Sequence, residues 1–580
     1  MEKKPKKIGV YICHCGGNIS DYVDVEKVRQ AVEGDEIVFL SKTTMFACSD
    51  ANQRDMVDDI KANGLDGVVV ASCSPKLHLT TFRNVSERAD LNKYTYVHAN
   101  IREQASWAHS DNKMGATEKA IHLVKAAIAK SRYAEALESN KVKAVKAVAV
   151  IGAGVAGLKA AISLAEKDTE VILIEREAEV GGRVAQWGSL FSSQETGREM
   201  IDRLSAQLKQ HKNINLLTNS EVVENKGSVG NIALKIRRKD PETGAEVMTE
   251  MTVGSVLMAT GFDYYKPQQA EFGYGVSDRV ITMPEFKKMI DTQTSKKLMY
   301  NGREVKNIAY IYCVGSRQTE GENTYCSRNC CTSTIHAAVT ARQKFSNIQN
   351  YHFNRGLRTY GKQEILYADS LRQGDIYFQS YEDGLPVVSV EGKKTIVKVN
   401  DILTNNREIE LEADLVVLVT GMVPQTDNSV GSLFKLPKGR DKFYNEVHMK
   451  LRPVETVIDG ITIAGACQGP KNIAESVNSA LSAATKSYSI ISKGEVESQP
   501  LVATIDPAKC SWCGACEEAC PFDAILKVDK DGKTIAEINN TVCKGCGMCA
   551  PVCEPDAVDL IACSSAEIMS MIDALVTPNP

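Results

Sequence analysis

The sequence lacks an excess of charge of either sign. Its 69 Lys and Arg residues stand against 73 Asp and Glu residues, which gives a net charge of −4 over 580 residues. Nucleic-acid-binding surfaces depend on clustered positive charge, so this balance argues against a nucleic-acid-binding protein. A chain of this length is expected to form several domains.

A convincing membrane span is also missing from the sequence. The apolar run at 8–12 is short and leads into Cys-His-Cys. Residues 144–165 are largely apolar over a spanning length, but they contain three glycines and Lys159. They fit a buried strand, a turn and a helix better, so we expect no transmembrane segment and a cytoplasmic location.

The 18 cysteines do not have the spacing of a secreted disulfide framework. Two runs near the C-terminus instead read C-x2-C-x2-C-x3-C, which is typical of a ferredoxin fold with two [4Fe–4S] clusters. In such folds the fourth cysteine of each run binds the other cluster. A zinc ribbon is the alternative interpretation of these two runs. Iron–sulfur clusters indicate a protein that works in the reducing, anaerobic interior of a cell. We therefore assign one cluster to Cys510, Cys513, Cys516 and Cys553, and the other to Cys543, Cys546, Cys549 and Cys520.

Strands and helices alternate along most of the chain. Apolar runs at 8–13, 36–40 and 67–72 alternate with helical stretches at 51–63 and 113–130. This alternation predicts a parallel sheet with helices on both faces, and hence a multidomain α/β protein. The expected domains are an N-terminal α/β domain at 1–140, a second α/β domain at 146–495, a ferredoxin domain at 503–562 and a tail at 563–580.

A dinucleotide-binding motif opens the second domain. The predicted strand 147–151 ends in Gly152-Ala-Gly154-Val-Ala-Gly157, a helix follows, and Glu175 ends the next strand. The glycines allow a tight turn, close approach of a pyrophosphate and close helix packing, while Glu175 can bind ribose hydroxyls. A glycine-rich turn in a Rossmann fold without a ligand is the alternative.

Three further segments favour FAD as the bound dinucleotide. A second glycine pair follows Glu175, a short glycine signature ends a later strand, and a third segment precedes a predicted helix. Together with the first motif they resemble the FAD-binding fold of thioredoxin reductases. The segments are Gly181, Gly182 and Arg183; Ala259, Thr260 and Gly261; and Gly465 and Ala466 before Asn472 and Ile473.

The NAD(P)H domain that this fold normally carries is expected as an insertion at about 300–412. Its first strand is present at 307–313, but Val314-Gly315-Ser316-Arg317 follows where a glycine loop should stand. The redox CxxC that thioredoxin reductases carry in this fold is also absent from the region 146–495. We therefore do not expect direct NAD(P)H binding.

Four cysteines occupy the place of the missing glycine loop. Cys313, Cys326, Cys330 and Cys331 lie within 19 residues. This set suits a [4Fe–4S] cluster or a zinc site, and a vicinal disulfide with two further thiols is the remaining alternative.

The sequence around these cysteines resembles a known family. The stretches Cys313-Val-Gly-Ser-Arg317 and Tyr325-Cys-Ser-Arg-Asn-Cys-Cys331 look like the A subunit of heterodisulfide reductase, and the resemblance covers nearly the full chain. It implies an oxidoreductase that acts on sulfur-group donors within a complex and holds a [4Fe–4S] cluster beside FAD. The implied partners are disulfide-reducing and iron–sulfur linker subunits, a hydrogenase or dehydrogenase input module, and ferredoxin, in a homodimer of hetero-complexes.

His336 departs from the pattern of that family. Relatives that bifurcate electrons tend to carry a lysine at this position, close to the flavin N5, and a lysine is always charged there. An imidazole, in contrast, changes its charge near neutral pH. The family resemblance implies electron transfer, and flavin-based electron bifurcation is the more specific version of this function. There are two alternatives for the function: a non-bifurcating electron-transfer scaffold, and a stand-alone NAD(P)H-dependent flavin disulfide oxidoreductase. The alternative for His336 is a position on the surface of a helix.

The N-terminal cysteines Cys13, Cys15, Cys48 and Cys73 are far apart in sequence. Cys13 and Cys73 stand at the carboxyl ends of predicted strands, which meet at one edge of a parallel sheet, and Cys48 follows the second strand. The four thiols could meet at this edge. The family resemblance implies a [4Fe–4S] cluster here, and buried or free cysteines are the alternative.

Overall fold

The computed structural model describes residues 6–191, 193, 195–391 and 394–577. They form two compact units: residues 6–141 together with 497–577, and residues 142–496. Within the described part of the chain, none of the helices combines the length and apolar character that a bilayer crossing needs.

The first unit begins with a four-stranded parallel sheet in the order β2-β1-β3-β4. Every residue of β1 and β3 is buried, as expected for central strands that helices cover on both faces. The strand predicted at 36–40 lies slightly later in the chain. The elements are β1 (Ile8–Cys13), α1 (Val25–Glu33), β2 (Val38–Thr44), α2 (Asp50–Asn63), β3 (Gly67–Ser72), α3 (Pro75–Arg88), β4 (Tyr96–Asn100) and α4 (Lys113–Tyr133).

Twenty-two strands and seven α-helices follow in the described residues from 140 to 498. The strands are β5 (Asn140–Lys143), β6 (Ala147–Ile151), β7 (Glu170–Ile174), β8 (Ile214–Leu217), β9 (Ser220–Ser228), β10 (Asn231–Lys239), β11 (Glu246–Val253), β12 (Ser255–Met258), β13 (Asp263–Tyr264), β14 (Val280–Thr282), β15 (Met299–Tyr300), β16 (Arg303–Glu304), β17 (Asn307–Val314), β18 (Gln349–Asn354), β19 (Ile376–Gln379), β20 (Val387–Glu391), β21 (Lys394–Asp401), β22 (Arg407–Ala413), β23 (Leu415–Thr420), β24 (Met422–Val423), β25 (Ile461–Ile463) and β26 (Glu495–Ser498). The helices are α5 (Val155–Ala165), α6 (Gly197–Leu208), α7 (Met283–Thr292), α8 (Cys330–Lys344), α9 (Gln363–Arg372), α10 (Ser429–Leu433) and α11 (Ile473–Ile491).

One parallel sheet of the second unit has the order β25-β12-β6-β7-β8. Helices α5 and α11 pack against each other and share one core with this sheet. Their contact is rich in alanine, including Ala160, Ala161, Ala480 and Ala484, all of them buried. Such small side chains let the two helices approach closely at the edge where β6 ends.

A second parallel sheet has the order β14-β23-β17-β18-β19. Its strands span residues 280–420, a wider range than the 300–412 expected for the insertion. The range is wider because the sheet also includes β14 and the whole of β23, which lie on one side of β17. Two antiparallel three-stranded sheets, β9-β10-β11 and β20-β21-β22, complete the main architecture of the unit.

The first unit is completed by the last part of the chain. Two strand pairs, β27 with β30 and β28 with β29, hold the ferredoxin-like cysteine runs. Residues 565–576, expected as a tail, form a helix that packs on α4, and Ser564 and Glu567 close its start through a reciprocal capping box. The elements are β27 (Ala503–Ile505), α12 (Ala515–Glu518), β28 (Ile525–Lys530), β29 (Lys533–Ile538), β30 (Val558–Leu560) and α13 (Ser565–Val576).

Candidate functional site

The turn after β6 is built for a closely approaching ligand. Gly152 has φ +101°, and a Cβ there would lie 2.5 Å from the carbonyl oxygen of Ala259. A Cβ at Gly157 would overlap the carbonyl oxygen of Gly152, whereas one at Gly154 would meet no atom within 4 Å. Glycine is therefore required at 152 and 157 by the fold, while the open space at Gly154 lets a ligand reach the backbone.

Glu175 fixes this turn through its carboxylate. One oxygen accepts a hydrogen bond from the Ala153 N–H at 2.7 Å, and the other accepts one from the Glu177 N–H at 3.0 Å. The side chain is buried at the end of β7 and lines the adjoining cavity. It holds the loop and presents an anionic acceptor to the cavity at the same time.

A cavity of about 980 Å³ begins at this turn. Its volume is at the upper end of the range for ligand sites, roughly 300–1,000 Å³. The start of α11, where Asn472 caps the helix, also opens onto it and contributes a partial positive charge. Residues of all four predicted segments line it: Gly152, Gly154, Glu175, Gly181, Gly182, Arg183, Ala259, Thr260, Gly261, Ala466, Asn472 and Ile473.

Gly157 and Gly465 lie outside the lining of this cavity. A Cβ at Gly465 would approach the Cβ of Ala156 to 2.9 Å, and its φ is +72°. Both glycines thus act through packing behind the cavity wall. The size of the cavity, the glycine turn and the helix start fit a bound FAD.

A smaller cavity of about 420 Å³ adjoins the first one. Gln186 and Trp187 line both cavities, and Trp187 is oriented by a 3.0 Å hydrogen bond from its Nε1 to the Tyr264 hydroxyl. Cys330 lines the smaller cavity. A member of the middle cysteine group therefore lies close to the wall of the dinucleotide cavity.

The middle cysteines affect one another's ionisation. Burial, reinforced by Cys331 and Cys326, raises the pKa of Cys313. A hydrogen bond with Cys331 raises the pKa of Cys330, whereas the same bond lowers the pKa of Cys331 to about 7. The four thiols therefore form one electrostatic group at the end of β17 and the start of α8.

Two arginines surround this group: Arg317, which appeared in the sequence only as part of a motif, and Arg355, which no motif indicated. Arg355 Nη2 donates to the carbonyl oxygen of Ser316 at 2.9 Å, and Arg317 Nη1 donates to the carbonyl oxygen of Arg355 at 2.8 Å. Both guanidinium groups act against the rise in the Cys313 pKa. Arg355 is remote from the cysteines in sequence, so only the packing of the loop after β18 reveals it.

The N-terminal cysteines also form one group. The N–H groups of Cys15 and Ala47 donate to Cys13 Sγ at 3.3 and 3.4 Å. Burial raises the pKa of Cys13 to about 11, and Cys15 and Cys48 add to this rise. Burial likewise raises the pKa of Cys73, with Cys15 and Cys48 again among its neighbours.

Arg102 is the cation of the N-terminal group. Its Nη1 lies 4.0 Å from Cys15 Sγ, and its charge lowers the pKa of Cys73 against the effect of burial. Arg102 begins a short π-helix, Arg102–Ser106, a conformation often found at functional sites. No sequence motif marks this residue, and the structure alone brings it to the sheet edge.

The C-terminal cysteine runs line two separate small cavities. Each cavity combines three cysteines of one run with the fourth cysteine of the other run. One is lined by Cys510, Cys513, Cys516 and Cys553, and the other by Cys543, Cys546, Cys549 and Cys520.

Backbone N–H groups point at the sulfurs of both runs. Ala536 N donates to Cys510 Sγ at 3.4 Å, and Ala557 N donates to Cys553 Sγ at 3.2 Å. Burial raises the pKa of Cys549 to about 11, and its cysteine neighbours add to this rise. Hydrogen bonds to sulfur stabilise thiolates and tune iron–sulfur clusters, so this environment fits cluster ligation.

No group of three or more His, Cys, Asp or Glu side chains in the described part of the chain is arranged to hold a single metal ion. A four-iron cluster makes a different demand, because each thiolate binds a different iron atom. The donor set of each group is four thiols with nearby N–H or guanidinium groups, which fits such a cluster.

His336 is half-buried on α8, with its ring 5.9 Å from that of Phe191. Burial, together with the charge of Lys287, lowers the pKa of His336 to about 4. The imidazole is therefore neutral at pH 7, whereas we expected its charge to vary near neutral pH. His336 lies outside the lining of both cavities.

Two parts of the chain match known families. Residues 146–309 match the family described as pyridine nucleotide-disulphide oxidoreductase. Residues 509–557 match the family described as 4Fe-4S dicluster domain. The chain thus contains a flavoprotein-type oxidoreductase region and an iron–sulfur region.

Several curated proteins are similar over most of the chain. The second iron-sulfur A subunit of CoB–CoM heterodisulfide reductase from Methanopyrus kandleri is 37% identical, covering 92% of this chain and 93% of that protein. The A subunit of the H(2):CoB-CoM heterodisulfide,ferredoxin reductase from Methanothermobacter marburgensis is 34% identical, covering 90% of each. Among solved structures, thioredoxin reductase of T. acidophilum matches with a TM-score of 0.41 and 17% identity, covering 60% of this chain and 99% of that one.

The Gly157→Ala substitution is expected to abolish flavin binding. The added Cβ would overlap the Gly152 carbonyl oxygen and push α5 away from the turn, at a cost of about 1–3 kcal/mol or more. The measurement is the flavin absorbance of the purified protein together with its thermal unfolding temperature.

Gly384→Ala is the matched control for this substitution. Its Cβ would meet its nearest neighbour at 3.7 Å, an ordinary contact distance. The control should keep full flavin content, and a Gly157→Ala protein with the same content would contradict the role given to this turn.

Proposed function

Because this chain belongs to the family of heterodisulfide reductase A subunits, we propose that it passes electrons between FAD and four [4Fe–4S] clusters within a multi-subunit complex. The proposed ligands are the two C-terminal cysteine sets, the middle set and the N-terminal set. The proposed partners are disulfide-reducing and iron–sulfur linker subunits, an input module of hydrogenase or dehydrogenase type, and ferredoxin.

One observation carries this proposal. The middle cysteine group reaches, through Cys330, a cavity that shares Gln186 and Trp187 with the dinucleotide cavity. Electron transfer between two cofactors requires that they lie close together. A cluster held by this group and an FAD held by the glycine turn would meet that requirement within one unit.

The two cofactor types supply complementary chemistry. When bound, FAD takes up electrons in pairs and the clusters carry them singly. The chain's own residues bind and tune them: Arg317 and Arg355 face the middle thiols, Arg102 faces the N-terminal thiols, and backbone N–H groups face the C-terminal sulfurs. Each of these groups favours the ionised form of a sulfur ligand.

A stand-alone pyridine-nucleotide-dependent oxidoreductase is the second candidate, and the family match of residues 146–309 favours it. The loop after β17 argues against it. Gly315 lies against the Tyr265 ring, and the Ser316 hydroxyl donates to the Tyr325 carbonyl oxygen at 3.0 Å, so the loop is closed on itself rather than open to a phosphate. Tight binding of NADH by the isolated chain would favour this candidate.

Metal and flavin analysis tests the leading proposal. Anaerobically purified protein is expected to contain about sixteen iron atoms and one FAD, since each cluster holds four irons. Cys48→Ser and Cys331→Ser should each lower the iron content to about twelve, because each removes a ligand of one cluster. Inductively coupled plasma analysis and flavin absorbance provide the counts.

Cys563→Ser is the control for these variants, because Cys563 is exposed and outside all four groups. It should leave the iron content unchanged. A wild-type content of about eight irons would restrict the clusters to the C-terminal runs and contradict the electron path through the middle group.

The position of His336 is tested by its effect on the flavin potential. His336→Lys is expected to raise the midpoint potential by about 30 mV or more, a tenfold change for a two-electron couple, because an ammonium stabilises the reduced anionic ring. Spectroelectrochemistry measures the potential. His211→Lys is the control, because His211 lies between α6 and β8 and not on α8, the helix that begins at Cys330. Equal potentials in all three proteins would mean that His336 is not near N5.

Electron bifurcation is the more specific version of the proposed electron-transfer function. In anaerobic stopped-flow reduction of the whole complex, we expect ferredoxin to be reduced only when a high-potential acceptor is reduced at the same time. Reduction of a single acceptor, independent of the other, would leave the electron-transfer role in place and remove bifurcation.

A further inference from the structure

The smaller cavity is lined by none of the predicted FAD-binding segments. The predicted FAD-binding segments line the larger cavity, and the two cavities share only the wall made by Gln186 and Trp187. At about 420 Å³ the smaller cavity falls within the range of small-molecule sites, roughly 300–1,000 Å³. It therefore has room for a second molecule beside the flavin site.

Most of the wall of this cavity is apolar. Trp187, Tyr264, Met283, Val419 and Met422 line it, and they come from both parallel-sheet regions of the second unit. A ligand of matching chemistry needs an apolar body that can displace water from these side chains.

Two buried hydroxyls on the same lining lack partners. Thr334 and Thr420 are at most 5% exposed, and among the described residues neither Oγ1 has a hydrogen-bond partner. A buried polar group left without a partner costs about 1–3 kcal/mol. Both residues line the cavity, so an acceptor atom of a bound molecule would remove this cost.

Lys287 adds a positive charge to the lining. Its Nζ donates to Ser333 Oγ at 2.5 Å and lies 5.6 Å from the Trp187 ring centre. Burial lowers the pKa of Lys287 to about 8 although Asp291 acts against this shift, so the ammonium is still mostly protonated at pH 7. Among the described residues Lys287 forms no salt bridge, and Glu285, the carboxylate on the same lining, accepts a hydrogen bond from the Thr282 N–H at 2.7 Å in the capping box of α7. The ammonium is therefore available to an anion.

We propose that this cavity binds a small organic carboxylate with an apolar body. The carboxylate would be held by Lys287 and the free hydroxyls of Thr334 and Thr420, while the body would lie against Trp187 and Met422. The ligand would then rest on the wall next to the flavin, where it can act as a substrate or as an effector of the flavin site.

Isothermal titration calorimetry with benzoate and hexanoate tests this proposal on the anaerobically purified full chain with its cofactors. The two probes have the same charge and differ in the shape of their apolar part. At least one is expected to bind saturably with one site per chain. Benzamide, the neutral counterpart of benzoate, should bind at least about tenfold more weakly, because it lacks the charge-assisted hydrogen bonds.

The variants identify the groups that hold the carboxylate. Lys287→Met should weaken binding of the carboxylate by about tenfold or more and leave benzamide unaffected. Thr334→Val should also weaken it, and this variant keeps the test valid if Lys287→Met loses flavin or folds poorly. Lys297→Met is the control, because Lys297 forms an exposed ion pair with Glu304 at 3.0 Å.

The proposal is overturned if neither probe binds saturably. It is also overturned if Lys287→Met and Thr334→Val bind the carboxylate as tightly as the wild type does, or if Lys297→Met weakens binding equally. These outcomes are independent of the iron and flavin counts, so they do not depend on the proposed electron-transfer function.

Discussion

Thiols gathered in groups of four repel one another as soon as they lose their protons, and this repulsion governs the surroundings of each of the four cysteine groups. Burial raises the pKa of Cys13, Cys313 and Cys549, and the neighbouring sulfurs add to each rise. The fold opposes this effect with guanidinium groups and backbone N–H donors. Metal ligation requires deprotonated thiols, so these compensating groups lower the free-energy cost of assembling the sites.

Parallel sheets provide the common means of assembly. β1 and β3 bring Cys13 and Cys73 to one edge, β6 ends at the glycine turn, and Cys313 is the next-to-last residue of β17. In each case the functional group lies at the carboxyl end of a strand, where the following loop is free of the ladder and can vary without disturbing the sheet. The same geometry therefore supports a thiol group in one unit and a dinucleotide cavity in the other.

Local sequence patterns predicted part of the fold and of the candidate sites, but not the residues that reach those sites from distant elements. The strands at Ile8–Cys13, Gly67–Ser72 and Ala147–Ile151 coincide with apolar runs, because buried parallel strands are apolar throughout. Arg102, Arg355 and Lys287 were not predicted, since each reaches its site from an element that is distant in sequence. The low pKa of His336 also depends on tertiary burial and on Lys287, neither of which the helix sequence displays. The C-terminal helix was missed although Ser564 and Glu567 carried its capping signature.

The four thiol groups differ in their contact with water. Cys513 and Cys546 are exposed, whereas Cys13, Cys73, Cys313 and Cys331 are buried. Dissolved oxygen reaches a sulfur at the surface sooner than one enclosed by the core, so air damages the C-terminal runs first. An iron–sulfur cluster held by the C-terminal runs would thus be lost to air before one held by the buried thiols, and the colour of the protein would fade in stages.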